Sequence, residues 1–264
     1  MERARCLAAA QTVPVARDVE ANVSQHLQLA EAAAAEGVTL LVYPELSLTG
    51  YELAFGSTVA FDANDARLRP LVAAARRHDM TLVVGAPVRV ASGLHIAAFI
   101  IEPAGCVHLY TKHYLGAFRP EDFPEGAVPP PEDSFYAPGA LNPKVVWRGS
   151  TLATSICADS AYPSHTQSAA ERGTEIYLSC QFAIPPHMAV KQSRLKDAAR
   201  RHGFTVVFSN FGGPTGGLAS AGGSCVRSPD GHAVARLPTE GCGLAIAWED
   251  GTRWAGKAVL TSHA

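Results

Sequence analysis

Three residues whose side chains could share one reaction each stand at the end of an apolar run. Cys157 closes Thr154-Ser155-Ile156, Glu45 follows Leu40-Leu41-Val42-Tyr43-Pro44, and Lys112 follows Leu109-Tyr110-Thr111. A thiol, a carboxylate and an amine are the parts of an acyl-transfer site. The thiolate attacks, a base takes its proton, and a cation or N–H donor holds the developing oxyanion. Each residue also has an ordinary reading: cysteine as a small buried hydrophobe, glutamate in a salt bridge to an arginine, lysine as the solvated end of a hairpin. The residues after Cys157 favour chemistry there. Ala158-Asp159-Ser160, then Tyr162-Pro163, turn the chain sharply and leave backbone N–H groups beside the thiol. Burying Glu45 beside a strand costs free energy unless the carboxylate is paired or used. Desolvation there would raise its pKa toward that of a general base.

The elements that must carry these residues alternate. Residues 4–12 read as a strand, and Asp18 caps a helix with Val19, Val23, Leu27, Ala30 and Ala34 on one face until Gly37 stops it. Residues 39–43 form a short strand apolar on both faces, followed by a helix over 65–78 and a strand over 81–86. Segments 94–102 and 106–111 flank Pro103-Ala104-Gly105 as a hairpin, and 144–148 and 151–156 do so around Gly149-Ser150. Between these hairpins, residues 112–142 lose all periodicity. Lys112 and Cys157 bracket this proline-rich stretch, which suggests a wall of the site. A helix over 164–172, a strand over 175–179, a helix over 188–202 and a strand over 205–209 follow. Then come the glycine-rich loop 212–217, a hairpin of 224–228 with 232–237, and an edge strand over 244–248. Both halves read strand–helix–strand–helix–hairpin. That order predicts an α/β fold: a four-layer α-β-β-α sandwich forming one domain over residues 1–264.

Composition narrows the class. The chain has 264 residues, 47% of them hydrophobic, with a net charge of -2 and mixed signs. No basic run marks a nucleic-acid or membrane surface, and no apolar run is long enough to span a bilayer. Cys6-Leu7-Ala8-Ala9-Ala10 is too short for the apolar core of an export signal, so a cytoplasmic location is expected and Asn22-Val23-Ser24 is read as a chance sequon. The six cysteines show neither framework spacing nor a CxxC pair. Cys6, Cys106, Cys225 and Cys242 are therefore assigned to core packing. No His/Asp/Glu cluster has metal-ligand spacing, loop 212–217 lacks the ending of a phosphate loop, and no cofactor is called for.

Taken together, Pro44-Glu45-Leu46-Ser47-Leu48-Thr49-Gly50-Tyr51, Lys112, and Ile156-Cys157-Ala158-Asp159 with Pro163 resemble the nitrilase superfamily of carbon–nitrogen hydrolases. The resemblance continues in Arg172-Gly173-Thr174-Glu175-Ile176, in Thr205-Val206-Val207-Phe208-Ser209-Asn210, and in Gly223-Ser224 followed by Pro229-Asp230-Gly231. It implies that Glu45 is the general base and Cys157 the nucleophile forming a thioester. Lys112 and the backbone N–H of Ala158 would hold the oxyanion. It also implies a second glutamate before an aromatic-Pro-Gly stretch, which Glu132 fits, with Glu125 and then Glu121 behind it. Cys180 and Phe182 would line the acyl pocket or pack in the core, and Tyr51 and Phe118 stand as pocket or packing aromatics. The family commonly dimerises through its outer helices, so at least a homodimer is expected. The chain ends soon after its last recognisable strand, so no attached synthetase domain is expected.

Departures refine the reading. Tyr114 stands where many members have histidine, Ser160 where many have arginine, and Ser164-His165 where a glutamate is frequent. His165 is either a partner of Cys157 or a structural or pocket-wall substitute for that glutamate. Cys157-Ala158-Asp159 replaces the Cys-Trp-Glu of nitrilases proper, which favours a small amide as substrate. An N-carbamoyl (ureido) amidohydrolase comes next, then a nitrilase, then a metabolite-binding scaffold without turnover.

Overall fold

Alternation along the first strand divides two cores. The computed structural model describes residues 5–124 and 126–261, beginning with β1 (Cys6–Gln11). Leu7 and Ala9 point into a core between two sheets, whereas Cys6, Ala8 and Ala10 point into a second core under helices. The first sheet adds β2 (Leu40–Val42), β3 (Thr81–Val90), β4 (Gly93–Ile101) and β5 (Val107–Thr111), with β12 (Cys242–Asp250) and β13 (Arg253–Thr261), in the order β13-β12-β1-β2-β3-β4-β5. The second contains β6 (Val145–Trp147), β7 (Ser150–Ile156), β8 (Ile176–Cys180), β9 (Thr205–Ser209), β10 (Cys225–Arg227) and β11 (Ala233–Arg236), in the order β11-β10-β9-β8-β7-β6.

Helices cover the outer faces. Val23, Leu29, Ala30 and Ala33 of α1 (Val19–Ala35), with Leu71, Ala74 and Ala75 of α3 (Arg69–His78), pack on the first sheet; α2 (Gly56–Val59) is a single turn between them. Asp18 caps α1 by accepting from Ala21 N, and Gly37 follows its end at φ +77°. On the second sheet, Ala169 of α4 (Pro163–Glu171) and Leu195 and Ala199 of α5 (Pro185–His202) pack against Tyr177, Phe204 and Phe208. Between the sheets, Leu40, Val83 and Ile100 meet Leu152, Ile176 and Val207. Burying each such side chain contributes roughly 1.5–3 kcal/mol. Trp147 Nε1 also donates to Thr39 O at 3.0 Å across the two sheets. The result is the expected α-β-β-α layering.

Three local expectations are corrected. Residues 244–248 are no edge, because β12 pairs with β1 on one side and β13 on the other. The true edge, β13, is half-exposed and interrupted by Arg253 and Lys257, so it shows no clean apolar alternation. Helix α5 starts at Pro185, because prolines in a first turn forfeit only N–H groups that have no helical acceptor. Cys106 is exposed in the β4–β5 turn rather than packed in the core. The Asn22 side chain is buried and bonded to Val15 and Leu48, which closes it to glycosylation.

Candidate active site

Strand direction brings the three chemical residues to one end of the sandwich. β5 is antiparallel to β4 and β4 to β3, while β2 and β3 are parallel, so β2 and β5 end on the same side. Glu45 lies three residues past β2, Lys112 one past β5, and Cys157 one past β7. The two sheets meet here where Glu45 N donates to Gln181 O at 3.4 Å, just beyond β8.

Cys157 adopts a left-handed φ of +43°, a conformation that costs a non-glycine residue about 1–3 kcal/mol. It opens a 3-10 turn, Cys157–Ala161, in which the N–H of Ala158 has no acceptor within the turn. Asp159 holds this turn in place. Its buried carboxylate accepts from Ile156 N at 2.9 Å, His113 N at 3.1 Å, Tyr114 N at 2.8 Å and the Tyr110 hydroxyl at 2.7 Å. One aspartate thus joins the cysteine turn to the backbone just after Lys112.

Glu45 is fully buried and approaches β3 closely because Gly85 has no side chain. A Cβ there would stand 2.4 Å from Leu46 N. Glu45 Oε1 accepts from Lys112 Nζ at 2.6 Å, while Oε2 is buried with no hydrogen-bond partner among the described residues. Desolvation, opposed by Lys112 and reinforced by Glu132, pushes the Glu45 carboxyl up to about 7. Lys112 is fixed at its backbone by Lys112 N to Ile96 O at 2.8 Å and Gly139 N to Lys112 O at 2.7 Å. Burial works against its charge, but Glu132 and Glu45 outweigh that and hold the ammonium protonated well above the usual lysine range. Glu132 Oε1 accepts from Lys112 Nζ at 2.7 Å and the Tyr51 hydroxyl at 2.8 Å, and Oε2 accepts from Gly116 N at 2.7 Å.

A cavity of about 460 Å³ opens onto Cys157, Ala158 and Glu132. Tyr51, Phe118 and Phe182 line it, with the Tyr51 and Phe182 rings 4.4 Å apart. Residues of the 112–142 segment, from Leu115 to Asp122, form one wall. Glu121 belongs to that wall as an exposed side chain 3.8 Å from Arg119, and Glu125 lies outside the described residues. Burial pushes the Cys157 thiol up; Lys191 opposes the shift and Glu45 adds to it.

Two expected pocket residues are elsewhere. Cys180 is fully buried in the core between the sheets, because its side chain at the end of β8 faces inward. His165 is buried between Tyr110 and Tyr177, 2.9 Å from each hydroxyl, and does not line the cavity. Tyr110 gives its proton to Asp159, so His165 Nε2–H donates to Tyr110 and Nδ1 accepts from Tyr177. Desolvation lowers His165 to about 4, which keeps the imidazole neutral. It braces the Tyr110–Asp159 link. In the other direction, the structure brings in Lys191, whose Nζ donates to Cys157 Sγ at 3.1 Å and to Gln181 Oε1 at 3.0 Å. In sequence it is one of several charges on an ordinary helix. Among the described residues, no group of three metal-binding side chains occurs, and no helix is long and apolar enough to cross a membrane.

The family model for the carbon–nitrogen hydrolases matches residues 6–252. The chain belongs to that family. Within it, the (R)-stereoselective amidase of Pseudomonas sp. is 27% identical over 222 residues, covering 82% of this chain and 75% of that enzyme. Among solved structures, the Nesterenkonia sp. AN1 amidase of the nitrilase superfamily superposes with TM-score 0.79 at 28% identity, covering 92% of this chain and 90% of that one. A cysteine-to-alanine variant of that amidase in complex with butyramide gives TM-score 0.81 at 27% identity, over 94% and 92%. A glutamate-to-leucine variant carries the acetamide moiety of fluoroacetamide covalently on its active-site cysteine, with TM-score 0.80 at 26% identity over 94% and 91%. This carbon–nitrogen hydrolase is thus of the amidase type, an enzyme that hydrolyses the C–N bond of an amide through a cysteine.

Proposed function

We propose that the substrate is a small linear amide and that Glu45, Lys112 and Cys157 carry out its hydrolysis, with Glu132 supporting Lys112. The observation carrying this reading is the division of labour within one buried carboxylate: Glu45 Oε1 is taken by Lys112, and Oε2 has no partner among the described residues. That second oxygen accepts the Cys157 proton as sulfur attacks the amide carbon. The carbonyl electron pair moves onto oxygen, where Lys112 Nζ and the Ala158 N–H meet it. When the carbonyl re-forms, the C–N bond breaks and ammonia or an amine departs with the proton from Glu45. Water then gives a proton to Glu45 and attacks the thioester. The C–S bond breaks, the carboxylic acid leaves, and the thiol regains its proton.

Tyr51, Phe118 and Phe182 favour a short apolar acyl group. A second reading, an amide bearing a carboxylate such as an N-carbamoyl amino acid, is supported by Arg194. This residue lines the outer cavity without an ion-pair or side-chain hydrogen-bond partner among the described residues. No disulfide joins the cysteines among the described residues, which fits a reducing, cytoplasmic setting, and the family resemblance supports a homodimer or larger homo-oligomer. The test is ammonia release from aliphatic and aromatic amides, dicarboxylate monoamides, ureido acids and nitriles, with Cys157→Ala as blank. Cys157-dependent release from small amides is expected. Release only from nitriles, or none from a folded protein with a reactive Cys157, would contradict the reading.

A further inference from the structure

Lys191 takes no part in the steps assigned to Glu45, Lys112 and Cys157, yet its ammonium touches the reacting sulfur. It comes from the second turn of α5 and makes two contacts, to Cys157 Sγ and to Gln181 Oε1. Gln181 aims it. That side chain is fully buried, and its Nε2 donates to Ser179 Oγ at 2.7 Å, Ser160 Oγ at 3.2 Å and Cys157 O at 3.4 Å. With the amide nitrogen so committed, Oε1 is left to hold Lys191.

The charges around the sulfur explain why a second cation belongs here. Cys157 is influenced by Glu45 after β2, Lys112 after β5, Glu132 of the 112–142 segment and Lys191 of α5. Lys112 bridges both carboxylates, so with both ionised these three groups carry one net negative charge. That charge opposes formation of a thiolate. Lys191 has no carboxylate partner among the described residues; its acceptors are a thiol sulfur and a neutral amide oxygen. Its charge is therefore available to the sulfur.

Resting on the assignment of Cys157 as nucleophile, we infer that Lys191 is a second catalytic cation, serving sulfur as Lys112 serves oxygen. It stabilises negative charge on Sγ while the thiol proton passes to Glu45 and the S–C bond begins to form. It acts again when water has attacked the thioester and the C–S bond breaks, releasing a thiolate that Glu45 reprotonates. Lys112, shared by two carboxylates, offers the sulfur less than Lys191 does.

The test is the pH profile of Cys157 alkylation by iodoacetamide, read by peptide mass spectrometry in wild type, Lys191→Met and Lys191→Arg, with kcat and KM for the best amide. Lys191→Met is expected to move the alkylation midpoint up by about one unit, slowing alkylation near neutral pH about tenfold. It should lower kcat with little change in KM, and Lys191→Arg should restore most of both. An unchanged alkylation profile in Lys191→Met overturns the inference, as does a raised KM with kcat intact, which would make Lys191 a substrate-binding residue. If the apolar side chain unsettles α5, Lys191→Gln reads the same loss of charge. A separate failure is distinguishable: if wild-type Cys157 reacts no faster than the exposed Cys106, the nucleophile assignment itself falls.

Discussion

The hydroxyl of Tyr110 donates to the carboxylate of Asp159 at 2.7 Å, joining the strand that delivers Lys112 to the turn that delivers Cys157. Asp159 is fully buried and also takes three backbone N–H groups. Asp159→Asn replaces one accepting oxygen with a donor that faces other donors. Leaving such groups unsatisfied is expected to cost about 3 kcal/mol in urea unfolding. Activity should fall by more than the unfolded fraction explains, because the cysteine and lysine turns lose register. Wild-type stability in this variant would refute the linking role.

As the proposed base, Glu45 must be ionised to take a proton, and burial has raised it to about 7. Below that value the carboxyl is protonated and inactive as a base; above it the base is available. The acid limb of kcat/KM should therefore have its midpoint near 7 rather than near an ordinary glutamate value. Glu45→Gln should abolish the limb along with most of the rate, in both acylation and deacylation. A wild-type profile flat from pH 5 upward would exclude Glu45 as the base.

Lys112 is the shared cation of two buried carboxylates, so its removal is expected to affect both rate and stability. Loss of one oxyanion donor slows the reaction by roughly two to three orders of magnitude. Breaking a buried ionic cluster costs about 3–5 kcal/mol, reduced to the extent that Glu45 or Glu132 takes up a proton instead. Lys112→Met should show both effects, in steady-state kinetics and denaturant unfolding. A slow enzyme of unchanged stability would mean that the two carboxylates are not held by this lysine.

Gly85 tests whether the position of Glu45 depends on a close backbone approach. A methyl group at residue 85 would stand 2.4 Å from Leu46 N and 2.7 Å from Pro44 O, neither of which is a movable side chain end. Gly85→Ala is expected to destabilise by about 1–3 kcal/mol through overpacking. A displacement of about 1 Å at Glu45 would cost on the order of a hundredfold in kcat/KM. Full activity would show that the segment carrying Glu45 can move without consequence.

Much of this arrangement was legible in the sequence because the residues proposed for the chemistry sit at strand ends. A single charged or nucleophilic residue closing an apolar run is a local pattern, and Glu45, Lys112 and Cys157 each show it. Glu132 could be placed through the family resemblance, by the aromatic-Pro-Gly stretch that follows it, and it meets Lys112 directly. Side-chain direction was less accessible. Whether Cys180 faces the cavity or the core depends on one residue of strand phase, and it faces the core. His165 is directed by two tyrosines from different strands, a contact with no local signature. Lys191 sits among Lys196, Arg194 and Arg200 on one helix, and only packing of α5 against the Cys157–Ala161 turn and Gln181 singles it out. The edge strand β13 escaped notice because a half-exposed strand loses its apolar rhythm.

The most direct measurement is intact-protein and peptide mass spectrometry of the enzyme quenched in acid during turnover of a small amide such as butyramide. The expected result is an acyl adduct on the peptide containing Cys157, present in wild type and absent, together with ammonia release, in Cys157→Ala. Turnover that continues in Cys157→Ala, or an adduct found on another residue, would contradict the thioester mechanism.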